Sequence, residues 1–243
     1  MLTTLLALQL FGCARYETRE RRFLPADGVW QGFVDDDRGD LSYQGVPEAT
    51  EFELLFTSWG RGSSEKGGLR RAEGNRWDAT VAGSLLDAWG RSDDRRAGVD
   101  IAIEGPRVFD VEAYTLDGTV TLRDVDGFHY LTGSRVEGRG VFGDLDALAT
   151  VDGLDVVVVP YIGSVVRLEV VQGDLEVALP AGLPYDLRLV TDPGWGYELV
   201  DLGFDEVSTG PGFAFASTGD GSVSVELINR DGPIFVRQAV VTE

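Results

Sequence analysis

The sequence predicts an all-β protein: a β-solenoid of short strands with about ten residues per row and a less regular N-terminal β cap. Five glycines recur at every tenth position from Gly133 to Gly173. Between them, each row carries a short β-branched or aliphatic run and then a small or polar corner, as in GSVVRLEVVQ and GDLEVALPAG. A lone strand of this length cannot bury its apolar face, whereas stacked copies can, so the short fixed period favours a stacked fold.

Side-chain alternation within the rows supports the same fold. Leu175, Val177 and Leu179 share one face, which we expect to be buried, while Asp174 and Glu176 point to solvent. Glycine suits the corners because it reaches positive φ without steric cost. An antiparallel meander, as in a sandwich or barrel, remains the alternative because it also has evenly spaced short strands.

Alternating apolar residues predict strands along most of the chain after Val29. They occur at 30–34, 41–46, 52–56, 77–81, 99–103, 109–113, 120–122, 128–131, 185–189, 213–215, 223–227 and 234–236. Segment 85–89 fits either a helical turn or a strand. The Gly- and Arg-rich segment 60–75 has no apolar periodicity, so we expect an exposed loop there.

No linker divides the chain, so residues 28–243 are predicted to form one domain. Residues 28–107 form its irregular cap region, and residues 108–243 form about six regular coils of two rows each. The cap is expected to cover strand edges at the open end of the stack. Residues 13–27 are rich in charge and contain a proline, which predicts a polar tether in front of the domain.

Composition excludes several classes of function. The formal net charge of the 243 residues is −20, so the phosphates of nucleic acid would be repelled. The same charge argues against adsorption to anionic lipid headgroups. One cysteine and one histidine exclude an intrachain disulfide and the usual Cys/His zinc site, and no cofactor is predicted.

The first twelve residues, MLTTLLALQLFG, are uncharged and mostly apolar. They are too short to span a bilayer as an ordinary helix but have the length of the apolar part of a signal peptide. The only cysteine, Cys13, follows directly. We therefore predict a signal peptide over 1–12, and the alternative is a buried first strand with an incidental cysteine. The box Leu10–Cys13 resembles the bacterial lipoprotein cleavage site, which implies that Cys13 is lipidated and anchors the chain in a membrane.

Several predicted corners share a short motif in which glycine and aspartate are adjacent in sequence and an apolar residue follows. They are residues 117–120, 143–145, 173–175 and 219–223. In these corners the chain resembles the bacterial putative-adhesin domain family, which consists of cell-envelope β-solenoids of unknown function. The resemblance implies a right-handed solenoid at a bacterial surface or within the envelope. It implies no established catalytic residues.

His129 is the only imidazole and therefore the first candidate for catalysis. It alternates with Phe128 and Tyr130, so we expect it to face away from both aromatic rings. No G-x-S-x-G motif accompanies it, and catalysis would need a nucleophile or carboxylate within reach. We interpret it as a surface or corner residue.

Acidic residues offer two further kinds of site. Glycoside hydrolysis needs two carboxyl groups at a set distance, and such a face could be formed by Asp144, Asp146, Asp155, Glu169, Asp174 and Glu176. We favour simple solvation of outward strand positions. The loop with Asp35, Asp37 and Asp40 could hold calcium, but its spacing is not that of an EF-hand. A plain acidic turn is the preferred interpretation, and no metal site is predicted.

Tryptophan side chains are typical anchors of glycan- and protein-binding surfaces. Trp59 and Trp195 lie in Gly-flanked segments, so both are predicted to be exposed and available for ligand binding. The other three tryptophans are expected in the core.

These observations predict a non-enzymatic cell-envelope lipoprotein, an adhesin-like β-solenoid that acts as a surface or periplasmic binding or scaffold module. We expect it to be anchored by lipid in the outer membrane of a bacterium and to bind envelope proteins or glycans, but no nucleic acid. The alternative is a carbohydrate-active enzyme or glycan-binding protein that uses acidic residues on the solenoid face.

Overall fold

A computed structural model of the protein describes residues 14–240 and is almost entirely β-structure. Nineteen strands in this part of the chain join one hydrogen-bonded network, and one short helix packs against it. In chain order the elements are β1 (Ala14–Pro25), β2 (Gln31–Asp36), β3 (Leu41–Val46), β4 (Glu51–Gly62), α1 (Glu65–Ala72), β5 (Arg76–Ala82), β6 (Leu85–Arg91), β7 (Ala97–Pro106), β8 (Asp110–Thr115), β9 (Thr119–Gly133), β10 (Arg135–Ala149), β11 (Leu154–Val159), β12 (Val165–Val170), β13 (Leu175–Leu179), β14 (Tyr185–Thr191), β15 (Tyr197–Leu199), β16 (Glu206–Gly210), β17 (Phe213–Ser217), β18 (Val223–Asn229) and β19 (Ile234–Gln238).

The strands pair in two ladders. Ladder A runs β5–β6–β2–β8–β9–β10–β12–β18–β14–β17–β16. Ladder B runs β1–β4–β7–β3–β9–β10–β11–β13–β19–β15. The long strands β9 and β10 belong to both, because their first halves pair in ladder B and their second halves in ladder A.

Pairing is parallel in the interior of both ladders. Leu145 pairs with Val166 and Leu154 with Leu175, so the chain returns to the same ladder after about two ten-residue rows. Antiparallel strands end ladder A on both sides and ladder B where the chain begins. The fourth end is the three-residue strand β15. Short edge strands limit edge-to-edge association.

Chain order and ladder order differ near the C-terminus. Strand β18 lies between β12 and β14, and β19 lies between β13 and β15. The last two strands therefore enter the interior of the ladders.

The inward side chains of the strands form one continuous apolar core. Leu175, Val177 and Leu179 are fully buried and Asp174 is exposed, which confirms the predicted alternation. Each such aliphatic side chain contributes about 1.5–3 kcal/mol through its removal from water. Four of the five periodic glycines have φ between 83° and 106°, as expected at corners. Gly133, the last residue of β9, does not have a positive φ.

The predicted tether over 13–27 is wrong for residues 14–25. These residues form β1, which pairs with β4 from Ala14–Gly62 to Pro25–Glu51. An edge strand at the end of a ladder is exposed on both faces, so it tolerates the same charged composition as a solvated tether.

The predicted loop over 60–75 is also wrong. Strand β4 continues to Gly62, and α1 follows after Ser64, whose hydroxyl accepts a hydrogen bond from the Gly67 N–H at 3.3 Å. The glycines conceal this helix in the sequence. Gly68 is needed because a Cβ at this position would overlap the Tyr16 ring.

Segment 85–89, which the sequence left undecided, lies in the strand β6. The cap region over 28–107 is more regular than expected, because β2, β3, β6 and β7 already pair in parallel. Only β1, β4 and β5 are antiparallel there. Within residues 14–240 no helix is long and apolar enough to cross a membrane.

Candidate ligand-binding surface

A continuous row of outward side chains crosses ladder A, with one residue from each strand. In ladder order it consists of Thr80, Asp87, Phe33, Glu112, Tyr130, Asp146, Arg167, Glu226, Arg188, Phe215 and Ser208. Acidic and aromatic residues occupy its first half, and charges of opposite sign alternate from Asp146 to Arg188. Register therefore joins residues that are far apart in sequence into one surface.

The first half of the row contains a shallow groove of about 370 Å³. Phe33, Leu85, Phe128 and Tyr130 supply its apolar walls, and Gln31, Asp110 and Glu112 supply its polar groups. Phe128 is 54% exposed and Tyr130 is 41% exposed. We call this feature the β2–β8–β9 groove.

A buried aromatic cluster supports the floor of the groove. Phe109, which precedes β8, stacks on Tyr43 with ring centroids 5.1 Å apart and meets Phe52 at 5.2 Å. The Tyr43 hydroxyl donates to the Pro106 carbonyl at 2.7 Å, so its polar end is satisfied. A Cβ at Gly32, which lines the groove, would lie 2.7 Å from the Phe109 ring, so this cluster packs directly beneath the groove.

The two carboxylates in the groove differ in their partners. Asp110 Oδ1 accepts a hydrogen bond from the Phe128 N–H at 2.8 Å and so holds β8 against β9. Glu112 is exposed and, among residues 14–240, has no ion pair. Glu112 is therefore available to accept hydrogen bonds from a ligand next to the Tyr130 ring.

His129 faces away from Phe128 and Tyr130, as predicted, but it is fully buried. The prediction of a surface or corner residue is wrong because strand alternation turns it into the core. Neither ring nitrogen has a hydrogen-bond partner within the described chain. Burial lowers the pKa of His129 to about 4, so the ring is neutral at pH 7.

Trp59 is not an exposed loop residue. It lies in β4 and is 9% exposed. Its indole N–H donates to Asp100 Oδ1 at 2.9 Å, and the guanidinium groups of Arg15 and Arg61 lie over its ring at 4.9 and 5.5 Å. The predicted exposure is therefore wrong, because β4 continues through Gly60 and buries the indole.

Trp195 is 55% exposed in the loop between β14 and β15, as expected. Its role in ligand binding remains a prediction. Trp30 is equally exposed at 55%, although the sequence suggested a core position. Its carbonyl accepts from the Asp110 N–H at 3.0 Å, which places it beside the β2–β8–β9 groove. Gly28 precedes it closely, so the criterion of flanking glycines could have identified it.

Most of the acidic candidates for glycoside hydrolysis are occupied by protein groups. Arg139, Arg230 and Arg237 pair with Asp155, Glu169 and Glu176 respectively. The Asp144 carboxylate accepts from the Val165 N–H at 2.6 Å. Burial raises the pKa of Asp146, and Asp174 is exposed at a corner. Asp155 and Glu176 are register neighbours, yet each has its own arginine.

The calcium candidates do not converge. Arg91 pairs with Asp35 and lies 3.8 Å from Asp37, while Asp40 Oδ1 accepts from the Thr119 N–H at 2.8 Å. Residues 14–240 contain no group of three or more His, Cys, Asp or Glu side chains arranged to hold a metal ion.

Nothing in the sequence distinguishes Asp36, which lies between two of these candidates. It is buried, and neither carboxyl oxygen has a partner in the described structure. Burial, followed by the charge of Asp37, raises its pKa to about 7. Cys13, the predicted lipidation site, lies outside the described residues.

Comparison with known proteins gives one informative likeness. No family model matches the chain, and no curated protein matches it. A crystal structure from Clostridium sporogenes, described as a "putative cell adhesion protein", superposes with a TM-score of 0.51 at 13% identity. The superposition covers 92% of this chain and 100% of the Clostridium sporogenes chain.

Two further crystal structures match with lower scores. They are a "putative adhesin" from Bacteroides fragilis with TM-score 0.30 at 11% identity, and a "putative adhesin" from Parabacteroides distasonis with TM-score 0.27 at 8% identity. Each of the two superpositions covers 90% of this chain and 97% of the matched chain. Only the superposition at a TM-score of 0.51 supports a likeness in overall fold, which is to the bacterial protein from Clostridium sporogenes.

Proposed function

We propose that this protein is a non-enzymatic, adhesin-like binding module of the bacterial cell envelope that binds a glycan in the β2–β8–β9 groove. The observation that carries the proposal is the pair of exposed rings, Phe128 and Tyr130, beside the unpaired Glu112 carboxylate. Aromatic faces pack on the C–H faces of sugars, and a carboxylate accepts hydrogen bonds from hydroxyl groups. The net charge of −20 favours a neutral or amino-bearing glycan over an acidic one.

The proposed architecture is a β-solenoid. The parallel pairing of the interior strands and the return of the chain to each ladder after about two rows support it. In a solenoid the outward residues of successive coils form continuous rows, which suits recognition of an extended polymer.

Anchoring through a lipid on Cys13 is part of the proposal. The apolar segment 1–12 in front of the only cysteine supports it. We place the protein in the outer membrane, at its surface or its periplasmic face. Protease treatment of intact cells tests this, with a Cys13→Ala strain alongside. Cleavage on whole cells and loss of retention in the Cys13→Ala strain are expected, whereas full retention of the variant would contradict the anchor.

Hydrolysis of a glycan has less support than binding. Three of the six candidate carboxylates are paired with arginine, and a fourth accepts a backbone hydrogen bond. We therefore retain the enzyme only as the alternative that a hydrolysis assay would reveal.

The binding test compares the wild-type protein with Phe128→Ala and Tyr130→Ala on an array of bacterial and host glycans, followed by titration calorimetry on each hit. Loss of at least tenfold in affinity is expected, since a buried aromatic anchor is often worth more than about 1.4 kcal/mol. The matched control is Phe215→Ala, which removes an exposed ring from the opposite end of the same outward row. Unchanged binding in both groove variants, or equal losses in all three, would contradict the proposal.

A further inference from the structure

Positive charge is concentrated at the end of ladder B where the described chain begins. Segment 61–76 contains five basic and two acidic residues in a chain whose net charge is −20. We define the basic cap as five exposed residues that have no ion pair within residues 14–240. They are Arg61, Lys66, Arg70, Arg95 and Arg96.

These residues belong to one surface because α1 and the loop 92–96 are fastened together. Arg71 Nε donates to Asp94 Oδ2 at 3.0 Å, which holds the loop against the helix. The Arg61 N–H donates to the Arg96 carbonyl at 2.7 Å. Arg70 and Arg95 line a common open depression of about 760 Å³.

Arginines elsewhere in the protein are mostly neutralised across strands. Arg237, for example, contacts Glu176 at 2.6 Å, and Arg188 contacts Glu226 at 3.3 Å. Five cations without an ion pair on one small surface repel one another and weaken the folded state, although Arg61 also lies over the Trp59 ring. The basic cap thus matches an anionic partner that the rest of this acidic protein does not resemble.

The start of β1 lies beside the basic cap. Ala14, the first described residue, pairs with Gly62 in the segment that leads into α1. The Tyr16 ring packs against Gly68 of the helix. If Cys13 carries the lipid proposed above, the basic cap faces the membrane that holds it.

We propose that the basic cap binds the anionic phospholipid headgroups of the membrane in which the protein is anchored; this rests on the proposed anchor at Cys13. Basic residues close to a membrane anchor are attracted to anionic headgroups, and each lysine or arginine near the surface adds to the attraction. The overall charge of −20 does not prevent this, because electrostatic interactions are screened beyond about 8–10 Å at physiological ionic strength. Local charge within that distance decides, so the proposal differs from the expectation drawn from net charge alone.

Vesicle binding tests the proposal with a full-length Cys13→Ala protein, which cannot be acylated. Its sedimentation is measured with vesicles of phosphatidylethanolamine and phosphatidylglycerol, and with vesicles of phosphatidylcholine alone. The second set measures what the apolar residues 1–12 contribute. We expect preferential binding to the anionic vesicles, which Arg70→Glu weakens about tenfold or more and which falls with salt.

The matched control is Arg123→Glu, which reverses an exposed arginine of β9 that likewise has no ion pair in the described residues. It should bind anionic vesicles as the parent does. Equal weakening by both substitutions would overturn the proposal in favour of bulk charge. No preference for anionic vesicles would also overturn the proposal. It would likewise be overturned if the protein self-associated without vesicles and Arg70→Glu abolished that self-association. Failure of the anchor itself is read separately, from retention of the Cys13→Ala form in cells.

Discussion

The Trp59 indole donates to Asp100 Oδ1 at 2.9 Å, and this bond ties β4 to β7. The same carboxylate accepts the Asp40 N–H at 3.2 Å and pairs with Arg15 of β1. One carboxylate therefore joins three strands and the turn after β2. Trp59, whose residue type suggested ligand binding, instead stabilises the packing of β1, β4 and β7.

Trp59→Phe removes the indole donor and keeps most of the apolar volume. We expect a loss of about 1–3 kcal/mol in the free energy of unfolding, because the partly buried Asp100 carboxylate loses a partner. Urea denaturation measures the loss, and glycan binding should not change. An unchanged midpoint would show that Asp100 does not depend on this bond.

Asp36→Asn should stabilise the protein at neutral and alkaline pH. The folded-state pKa of about 7 lies above the ordinary aspartate pKa of 3.8, so the native state retains a proton that the unfolded state releases. The free energy of unfolding therefore falls as pH rises from about 4 to about 7, by up to about 4 kcal/mol. Urea midpoints at pH 5 and pH 8 test this. The gain of the variant over wild type should be larger at pH 8, and an equal gain at both values would contradict the assignment.

His129→Leu should have the opposite pH dependence. The folded-state pKa of about 4 lies below the ordinary histidine pKa of 6.5, so the contribution of neutral His129 to stability is present above pH 6.5 and declines as pH falls towards 4. Leucine removes this decline and also removes two unsatisfied ring nitrogens. The variant should gain in urea midpoint over wild type at pH 4.5 more than at pH 8. In wild type the contributions of Asp36 and His129 oppose each other between about pH 4 and 6.5.

Alanine substitutions at two corner glycines distinguish the stability cost of backbone strain from that of steric overlap. Gly163 has φ of 91° and open space where a Cβ would lie, whereas a Cβ at Gly153, with φ of 83°, would lie 2.5 Å from the Asp174 carbonyl oxygen. Gly163→Ala should cost about 1–2 kcal/mol from the left-handed conformation alone. Gly153→Ala should cost more, because the backbone at the Asp174 corner must also move. Thermal melts compare them, and equal costs would contradict the contact.

The sequence predicted those features of the fold that depend on residues close together in the chain. Alternation placed Leu175 and Val177 in the core, and the ten-residue period predicted the corner glycines. The structure of residues 14–25 was harder to predict, because charged residues suit both a tether and an edge strand such as β1. The β2–β8–β9 groove was missed because Phe33 and Tyr130 meet only through the register of Glu112 between them.

The position of β18 and β19 has a consequence for how the molecule is completed. These strands follow β14 and β15 in sequence, yet β12 and β13 cannot contact β14 and β15 through the ladders without them. Loss of β18 and β19 by proteolysis would therefore split both ladders internally rather than shorten them. The ladders can be completed only once the chain as far as β19 is available, and such pairing between residues distant in sequence slows folding.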